Sequence, residues 1–245
     1  MSIDKDINIK CESGDKMWAI LIDPDKTPVA DLETSLHAIN SCSCDFIFVG
    51  GSQLFDVDFH NYVLQIKSLT KKKVLIFPGD QTQISSAADG ILLLSLISGR
   101  NPELLIGKHI QSSYALKRAK INLLPTGYML IDGGKTSSVQ YISNTLPIPE
   151  DKFNIAASTA LAGEQLGLKY IYMDAGSGAK NPISKRMIKA VRSQISVPLI
   201  IGGGIKNHID LQNAWLAGAD IVVIGNAIEE NKELIYSLNS RIKCN

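Results

Sequence analysis

Short apolar runs rich in β-branched residues alternate along the chain with longer segments that carry apolar residues at three- and four-residue spacing. The short runs are typical of buried strands and the longer segments of amphipathic helices, so their alternation predicts βα units around a parallel sheet. Eight strands favour a closed (β/α)8 TIM barrel. The predicted strands are residues 18–22, 46–49, 74–77, 90–96, 127–131, 170–173, 198–201 and 221–224.

Helices are predicted between most of these strands, at residues 29–41, 55–69, 102–119, 153–166, 184–195, 208–216 and 233–242. Residues 79–89 are too few for a full helix, so we expect an irregular, shortened third crossover. Residues 132–151 form the longest connection, and a loop of that length in a compact domain is often functional. No low-complexity linker divides the chain, and a barrel needs about 250 residues, so we predict one domain over residues 1–245.

Composition excludes several classes of protein. The 25 basic and 24 acidic residues leave a net charge of +1, so no global field attracts nucleic acid or an anionic membrane. The four cysteines fit neither a zinc site nor a disulfide framework, which favours a cytoplasmic protein. The polar segment 1–16 has no apolar signal core, and no apolar run is long enough to span a bilayer. Any membrane contact is expected to be peripheral.

The residues that follow the strands share one rim of a closed barrel, which is where this architecture places its active sites. Gly202-Gly203-Gly204 follow the seventh strand and Gly225-Asn226 follow the eighth. Glycine-rich turns at helix amino termini let backbone amides converge on an anion. These two turns therefore predict a phosphate site, although glycines at such positions also serve tight strand-to-helix turns.

The sixth strand ends in Tyr172, Asp174 and a flexible Gly176-Ser177-Gly178 turn. Residues two apart on a strand point to the same side, so Tyr172 and Asp174 are candidates to hold a small polyol. In that role Asp174 would accept a proton from an attacking hydroxyl. Taken alone, the segment fits equally well an aromatic core residue beside a turn-capping aspartate.

The first strand ends in Asp23-Pro24-Asp25-Lys26, which places carboxylates at the barrel mouth. Asp23 with a hydroxyl such as Ser52 would suit Mg2+, which keeps several waters and bridges to substrate phosphates. An ordinary Asp-Pro turn is the competing interpretation. The four histidines, His37, His60, His109 and His208, fall on predicted helices and are interpreted as surface or packing residues. No Walker loop, nucleophile elbow or H-E-x-x-H motif occurs.

Together these segments resemble the geranylgeranylglyceryl phosphate synthase family and its bacterial relatives, the heptaprenylglyceryl phosphate synthases. The resemblance covers nearly the whole chain and includes Pro-Gly after the third strand and the shortened third crossover. Each motif is weak alone, but together and in order they are specific. The motifs that carry it are residues 21–26, 49–52, 77–79, 95–102, 125–128, 172–178, 201–205 and 225–226.

The resemblance implies a magnesium-dependent prenyltransferase with Mg2+ on Asp23 and Ser52. Many members carry Glu at the position of Asp174. The aspartate side chain is one methylene shorter, which alters its distance to the glycerol hydroxyls. Diphosphate contacts are predicted at Lys26, Arg100 and Asn101. Glycerol 1-phosphate is expected to bind at Tyr172, Met173, Asp174, Ala175, Gly176, Ser177 and Gly178, with its phosphate at Gly203, Gly204, Gly225 and Asn226.

The implied reaction moves a geranylgeranyl or other polyprenyl group from its diphosphate to the 3-hydroxyl of sn-glycerol 1-phosphate, with Asp174, Tyr172 and Asp23 as catalytic residues. This step forms the first ether bond of ether-linked membrane phospholipids. The prenyl chain is expected to lie near the rim between the fourth and fifth helices of the barrel, and its length is not readable from the sequence. Family members form dimers or hexamers, so a homo-oligomer is expected.

Two other functions fit the glycine turns. A sugar-phosphate isomerase or aldolase of the same fold would use the same phosphate site but would need no apolar groove. A non-catalytic phosphate-binding barrel would keep the glycine turns without needing the metal carboxylate.

Overall fold

Eight parallel strands close into a barrel in sequence order, with β1 paired to β8. The computed structural model describes residues 2–225 together with residues 228 and 235. All eight predicted strands are confirmed. They are β1 (Met17–Ile22), β2 (Phe46–Val49), β3 (Lys73–Ile76), β4 (Gly90–Leu96), β5 (Asn122–Leu130), β6 (Tyr170–Asp174), β7 (Leu199–Gly202) and β8 (Ile221–Ile224).

The ends of these strands differ from prediction by at most one residue, except in β5. This strand begins at Asn122 because it pairs in register with β4 from Gly90↔Asn122 through Leu94↔Thr126. Pro125 lies within that stretch, and a proline argues against a ladder because it has no amide to donate. Its carbonyl nevertheless accepts from the Lys169 amide at 2.9 Å, so pairing with the neighbouring strands outweighs the local signal.

The helices surround the barrel. They are α1 (Ile3–Glu12), α2 (Leu32–Ser41), α3 (Phe59–Leu69), α4 (Lys108–Ala119), α5 (Ser138–Ser143), α6 (Phe153–Gln165), α7 (Lys185–Arg192) and α8 (His208–Ala217). The predicted helix at 55–69 begins only at Phe59, because the Asp58 side chain accepts from the Asn61 amide and so caps the helix. A π-helix at Glu103–Gly107 precedes α4. The predicted helix at 233–242 lies outside the described residues.

The third crossover has no helix, as predicted: residues 79–89 form turns and bends between β3 and β4. The long loop at 132–151 contains the short helix α5, whose start is capped by the Ser137 hydroxyl accepting from the Gln140 amide. A single bridge between Ile131 and Ile148 ties the two ends of this loop together. In the described part of the chain, no helix combines the length and the apolar character needed to cross a membrane.

Helix α1 is an element that the sequence analysis did not predict. Its buried residues Ile3 and Ile7 pack in one cluster with Met17, Phe46 and Tyr170, the first residues of β1, β2 and β6. The Asp4 carboxylate accepts from the Tyr170 hydroxyl at 2.8 Å. Helix α1 therefore closes the amino-terminal end of the barrel and leaves the carboxyl-terminal end as the open one.

Two apolar layers hold the structure together. One fills the barrel interior with side chains such as Phe48, Leu92 and Tyr172. The other lies between the barrel and its helices and includes Trp18, Ile201 and Trp215. Successive strand residues alternate between the two layers because side chains on a strand point to opposite faces. This alternation decides which rim residues reach the open end of the barrel.

Replacing Ile7 by alanine should lower the free energy of unfolding by about 2–5 kcal/mol, because the side chain is only 1% exposed and its removal leaves a cavity. Ile9 on the same helix is 48% exposed and provides the matched control, with an expected change within about 0.5 kcal/mol. Urea unfolding followed by circular dichroism measures both. Equal effects of the two substitutions would show that α1 does not close the barrel.

Candidate active site

A large cavity of about 1090 Å³ opens at the carboxyl-terminal end of the barrel. Asp23 after β1 and Gly203 after β7 both line it. The predicted cation-binding and anion-binding ends therefore face one space, as the proposed union of two substrates requires. The side chains that line it come from all eight strand ends or the connections that follow them.

The first side of the cavity carries Asp23, Lys26 and Ser52. Asp23 accepts from the Asp25 amide at 3.2 Å, and its other oxygen lies 3.7 Å from the Lys26 ammonium. Burial raises the pKa of Asp23, although the Asp25 hydrogen bond and the Lys26 charge oppose the shift. A Cβ on Gly51 would lie 2.9 Å from the Asp23 carboxylate, so the backbone before Ser52 passes close to it.

These donors suit a magnesium ion. A carboxylate and a hydroxyl on one wall are the oxygen ligands that Mg2+ prefers, and the ion takes its remaining ligands from water and substrate phosphates. Among the residues that the structure describes, no group of three or more His, Cys, Asp and Glu side chains could hold a metal alone. A cation at Asp23 and Ser52 would therefore depend on substrate oxygens to complete its coordination.

The opposite side of the cavity is built from glycine turns. Gly203 and Gly204 have φ values of +80° and +72°, a region in which other residues are strained. Neither amide donates to a protein acceptor among the hydrogen bonds of residues 2–225. Gly203, Gly204 and Gly225 all line the cavity, so the structure brings together these three residues of the predicted anion site. Asn226 lies outside the described residues.

The glycine turns after β6 and β7 are packed directly against each other. A Cβ on Gly203 would lie 2.7 Å from the Gly176 nitrogen and 2.8 Å from Asp174 Oδ1. Gly176, Ser177 and Gly178 all line the cavity. The sequence prediction that these residues border the ligand space agrees with their position.

Tyr172 and Asp174 point into the cavity from β6, as their two-residue spacing predicts. Asp174 is 8% exposed and accepts from the Tyr128 hydroxyl at 2.5 Å and from the Gly176 amide at 2.7 Å. Tyr172 stacks on Phe77 with ring centroids 5.0 Å apart. Tyr128 was not among the predicted site residues, because its contact with Asp174 joins two different strands, β5 and β6.

The electrostatics of this group follow from burial. Burial raises the pKa of Asp174, although the hydrogen bonds from Tyr128 and Gly176 oppose the shift. Burial, followed by the Asp174 charge, raises the pKa of Tyr128 well above its ordinary value. The phenol therefore keeps its proton, and Asp174 is a stronger base than an exposed aspartate.

Two residues of the predicted glycerol phosphate segment have side chains that point elsewhere. Met173 and Ala175 are buried in the layer between the barrel and its helices and do not line the cavity. The reason is the strand alternation that turns Tyr172 and Asp174 inward. Only the backbone of Met173 and Ala175 is available to this site.

The predicted diphosphate contacts are divided. Lys26 lines the cavity, whereas Arg100 and Asn101 do not. The Arg100 guanidinium donates to the Gly99 carbonyl at 2.7 Å, and the Asn101 side chain accepts from the Glu103 amide at 3.0 Å. Both side chains are thus engaged in ordering the turn that leads into the π-helix. Four lysines that were not predicted line the cavity: Lys108, Lys135, Lys180 and Lys206.

An apolar arm extends from the polar mouth of the cavity. We define this arm by Ile84 of the third crossover, Ile91 and Leu93 of β4, Leu104, and Leu116 of α4. It lies where the third helix is missing, between the third crossover and α4. This is not the expected position between the fourth and fifth helices of the barrel, because the gap in the helical layer is on the other side of α4.

His109 lies on a helix, as predicted for all four histidines, and also lines this part of the cavity. Its Nε2 lies 2.9 Å from the Ser95 hydroxyl. Burial lowers the pKa of His109, so the ring is neutral near pH 7. It adds a polar but uncharged group to the wall next to the arm.

Known proteins are similar to this chain in sequence and in structure. The chain is 50% identical over 228 residues to a geranylgeranylglyceryl phosphate synthase of Chitinophaga pinensis. The alignment covers 92% of this chain and 89% of that relative. It is 37% identical over 229 residues to a geranylgeranylglyceryl phosphate synthase of Pyrococcus abyssi. That alignment covers 93% of this chain and 90% of the relative.

A solved structure is similar throughout. It is the crystal structure of (S)-3-O-geranylgeranylglyceryl phosphate synthase from Thermoplasma acidophilum in complex with its substrate sn-glycerol-1-phosphate. The TM-score is 0.90 at 31% sequence identity, with 98% of this chain and 96% of that chain covered. Residues 11–241 match the model of the PcrB family. The chain belongs to the PcrB family.

Proposed function

We propose that this protein transfers a geranylgeranyl or other polyprenyl group from its diphosphate to the 3-hydroxyl of sn-glycerol 1-phosphate. The observation that carries the proposal is the cavity itself, which joins an anion site, a cation-competent carboxylate and an apolar arm in one space. The phosphate of the acceptor needs the anion site, the diphosphate of the donor needs the cation, and the prenyl chain needs the apolar arm. The relatives named above support the same reaction.

The acceptor is placed with its phosphate on the amides of Gly203, Gly204 and Gly225. Its glycerol portion then extends toward Tyr172 and Asp174, which border the same space. The Thermoplasma acidophilum relative, which was crystallised with sn-glycerol-1-phosphate, supports this choice of acceptor. Holding the hydroxyl beside the donor carbon removes much of the entropic cost of the reaction.

Asp174 is the group that takes the proton. In the reaction the acceptor oxygen forms a bond to the first carbon of the prenyl chain, while the bond from that carbon to the diphosphate breaks. The hydroxyl proton moves to Asp174 and the bonding electrons leave with the diphosphate. Because burial raises the pKa of Asp174, the carboxylate accepts this proton more readily than an exposed aspartate. Tyr128 positions it through the 2.5 Å hydrogen bond.

The donor is placed with its chain in the apolar arm and its diphosphate toward Asp23, Ser52 and Lys26. Lys108 and Leu116 both line the cavity and lie eight residues apart, so the arm follows α4 for about 12 Å. Mg2+ held by Asp23 and Ser52 would supply positive charge that stabilises the departing diphosphate. The ammonium of Lys26, 3.7 Å from Asp23, adds charge on the same wall.

We further propose that the protein forms a homo-oligomer in the cytoplasm. Tyr141 and Leu146, in and just after α5, are 81% and 84% exposed, and burying them against a second subunit would be favourable. Cys11, Cys42 and Cys44 are free thiols, which fits a reducing compartment. Cys244 lies outside the described residues.

The apolar arm distinguishes this proposal from the alternatives. A sugar-phosphate isomerase or aldolase would use the Gly203 and Gly204 turn, but its substrate has no apolar group to place among Ile84, Ile91 and Leu116. A non-catalytic phosphate-binding barrel would not need a buried carboxylate with a raised pKa beside the anion site. Neither alternative therefore accounts for both halves of the cavity.

Incubation with labelled geranylgeranyl diphosphate, sn-glycerol 1-phosphate and Mg2+ should yield an extractable ether lipid. Replacing Asp23 by alanine should lower kcat/KM by about a hundredfold or more, since it removes charge stabilisation of the leaving group. Phosphate binding and the unfolding midpoint should persist. EDTA should abolish turnover, and added Mg2+ should restore it.

The same assay should include prenyl diphosphates of graded chain length. Chain length should change the rate through contacts with the apolar arm and should leave binding at the anion site unchanged. Absence of product with every donor would reject the proposed function. An Asp23→Ala variant with the wild-type rate would remove Asp23 from the mechanism while leaving the reaction in place.

The raised pKa of Asp174 makes stability depend on pH. A buried carboxyl whose folded pKa lies above its unfolded value stabilises the fold below the unfolded pKa, near 3.8, and loses that contribution as pH rises through the folded pKa. Asp174→Asn is nearly isosteric and does not ionise. Its melting temperature relative to wild type should therefore rise between pH 4 and pH 8, while its turnover falls by about a hundredfold or more. If the melting temperatures of wild type and Asp174→Asn changed in parallel with pH, the fold would not raise the pKa of Asp174.

Replacing Gly203 by alanine should abolish acceptor binding, because the added Cβ would lie 2.7 Å from the Gly176 nitrogen and 2.8 Å from Asp174 Oδ1. Gly167 is the matched control: its φ is also positive, at +90°, but nothing lies within 4 Å of an added Cβ. Gly167→Ala should cost about 1–2 kcal/mol of stability and leave acceptor affinity intact. Isothermal titration with sn-glycerol 1-phosphate compares the two. Equal affinities would place the phosphate elsewhere.

A further inference from the structure

An ion pair joins the two walls of the apolar arm. The Lys108 ammonium lies 3.4 Å from the Asp80 carboxylate. Asp80 belongs to the third crossover, the wall that also contributes Ile84, and Lys108 is the first residue of α4, the wall that contributes Leu116. Both charged side chains line the cavity and are about 40% exposed. The pair therefore lies where the polar mouth passes into the apolar arm.

The Asp80–Lys108 pair is adjacent to the side of the cavity that carries Asp23 and Ser52. A Cβ on Gly79 would lie 2.6 Å from the Ser52 Cα, so the turn that carries Asp80 is packed directly on the turn that carries Ser52. The order along the rim is thus Asp23, Ser52, Asp80 and Lys108. Any diphosphate that reaches from Asp23 toward a chain in the arm passes beside Lys108.

Asp80 is held as a carboxylate in this position. Partial burial alone would raise the pKa of Asp80, but hydrogen bonding by Thr82 and the charge of Lys108 more than offset that effect and lower it. The Thr82 amide donates to Asp80 at 2.9 Å. The turn therefore fixes Asp80, which in turn keeps the flexible Lys108 side chain at the entrance to the arm.

We infer that Lys108 binds the diphosphate of the prenyl donor, exchanging its contact with Asp80 for phosphate oxygens when the donor enters. This inference rests on the proposed function and adds a specificity residue to it. A lysine ammonium has three donors and binds phosphate as a point charge. The diphosphate carries more negative charge than one carboxylate, so the exchange is electrostatically favourable. Asp80 holds Lys108 in place beforehand and competes with the donor for it.

The exchange predicts opposite effects of removing the two partners. Lys108→Met keeps the length of the side chain but removes its charge, so the KM for the prenyl diphosphate should rise about tenfold or more. Lys108→Arg should recover most of that loss. Asp80→Asn removes the competitor, so the donor KM should fall or inhibition by inorganic pyrophosphate should strengthen. The KM for sn-glycerol 1-phosphate should stay the same in each variant.

Lys117→Met is the matched control, because Lys117 is exposed on the same helix and does not line the cavity. A purely structural ion pair would make Lys108→Met and Asp80→Asn equally harmful, and that result would overturn the inference. So would a donor KM for Lys108→Met equal to that of Lys117→Met. A wild-type protein that forms no ether product would instead reject the proposed function, so the two failures are distinguishable.

Discussion

Closure of the parallel barrel is the constraint on which the rest of the structure depends. Once β8 pairs with β1, all eight strands end at one rim, and residues as distant in sequence as Asp23 and Gly203 share a single cavity. Helix α1 packs against the opposite end with Ile3 and Ile7, and the cavity opens at the rim. The chemistry of the protein is therefore determined by what each strand places just beyond its last residue.

The missing helix after β3 gives this barrel its second property. In a complete barrel a helix would cover the outer face of β4, whereas here Ile91 and Leu93 on that face border the cavity. The turn that replaces the helix packs closely on its neighbour, since Gly79 lies against Ser52. The absence of this helix thus leaves an apolar space beside the part of the rim that carries Asp23 and Ser52. A cavity with these two neighbouring parts suits an amphiphile with an anionic head.

The sequence predicted the fold well because each strand carries its own signal: a short apolar run bounded by turn residues. It predicted that Asp23, Ser52 and Asp174 lie at the rim because each is at the end of a strand or within three residues after it. It did not predict α1, in which two buried isoleucines four residues apart are a weak pattern, nor Tyr128, which reaches Asp174 only through the pairing of β5 with β6. Contacts of that kind arise from register between strands, which no local pattern contains. Arg100 shows the converse, since a cation at a strand end can bind its own turn.

Asp174 connects the acceptor site to the backbone that builds it. The carboxylate accepts from the amide of Gly176, and Gly203 leaves no room for a side chain between Asp174 and the turn after β6. Asp174, proposed as the proton acceptor, and the Gly203 turn, proposed to bind phosphate, are therefore parts of one packed unit. An aspartate, one methylene shorter than glutamate, keeps its carboxylate close to this backbone. In the proposed reaction the β6 and β7 turns would therefore set the distance from the phosphate to Asp174, and the glycerol hydroxyl would have to reach the carboxylate across that distance.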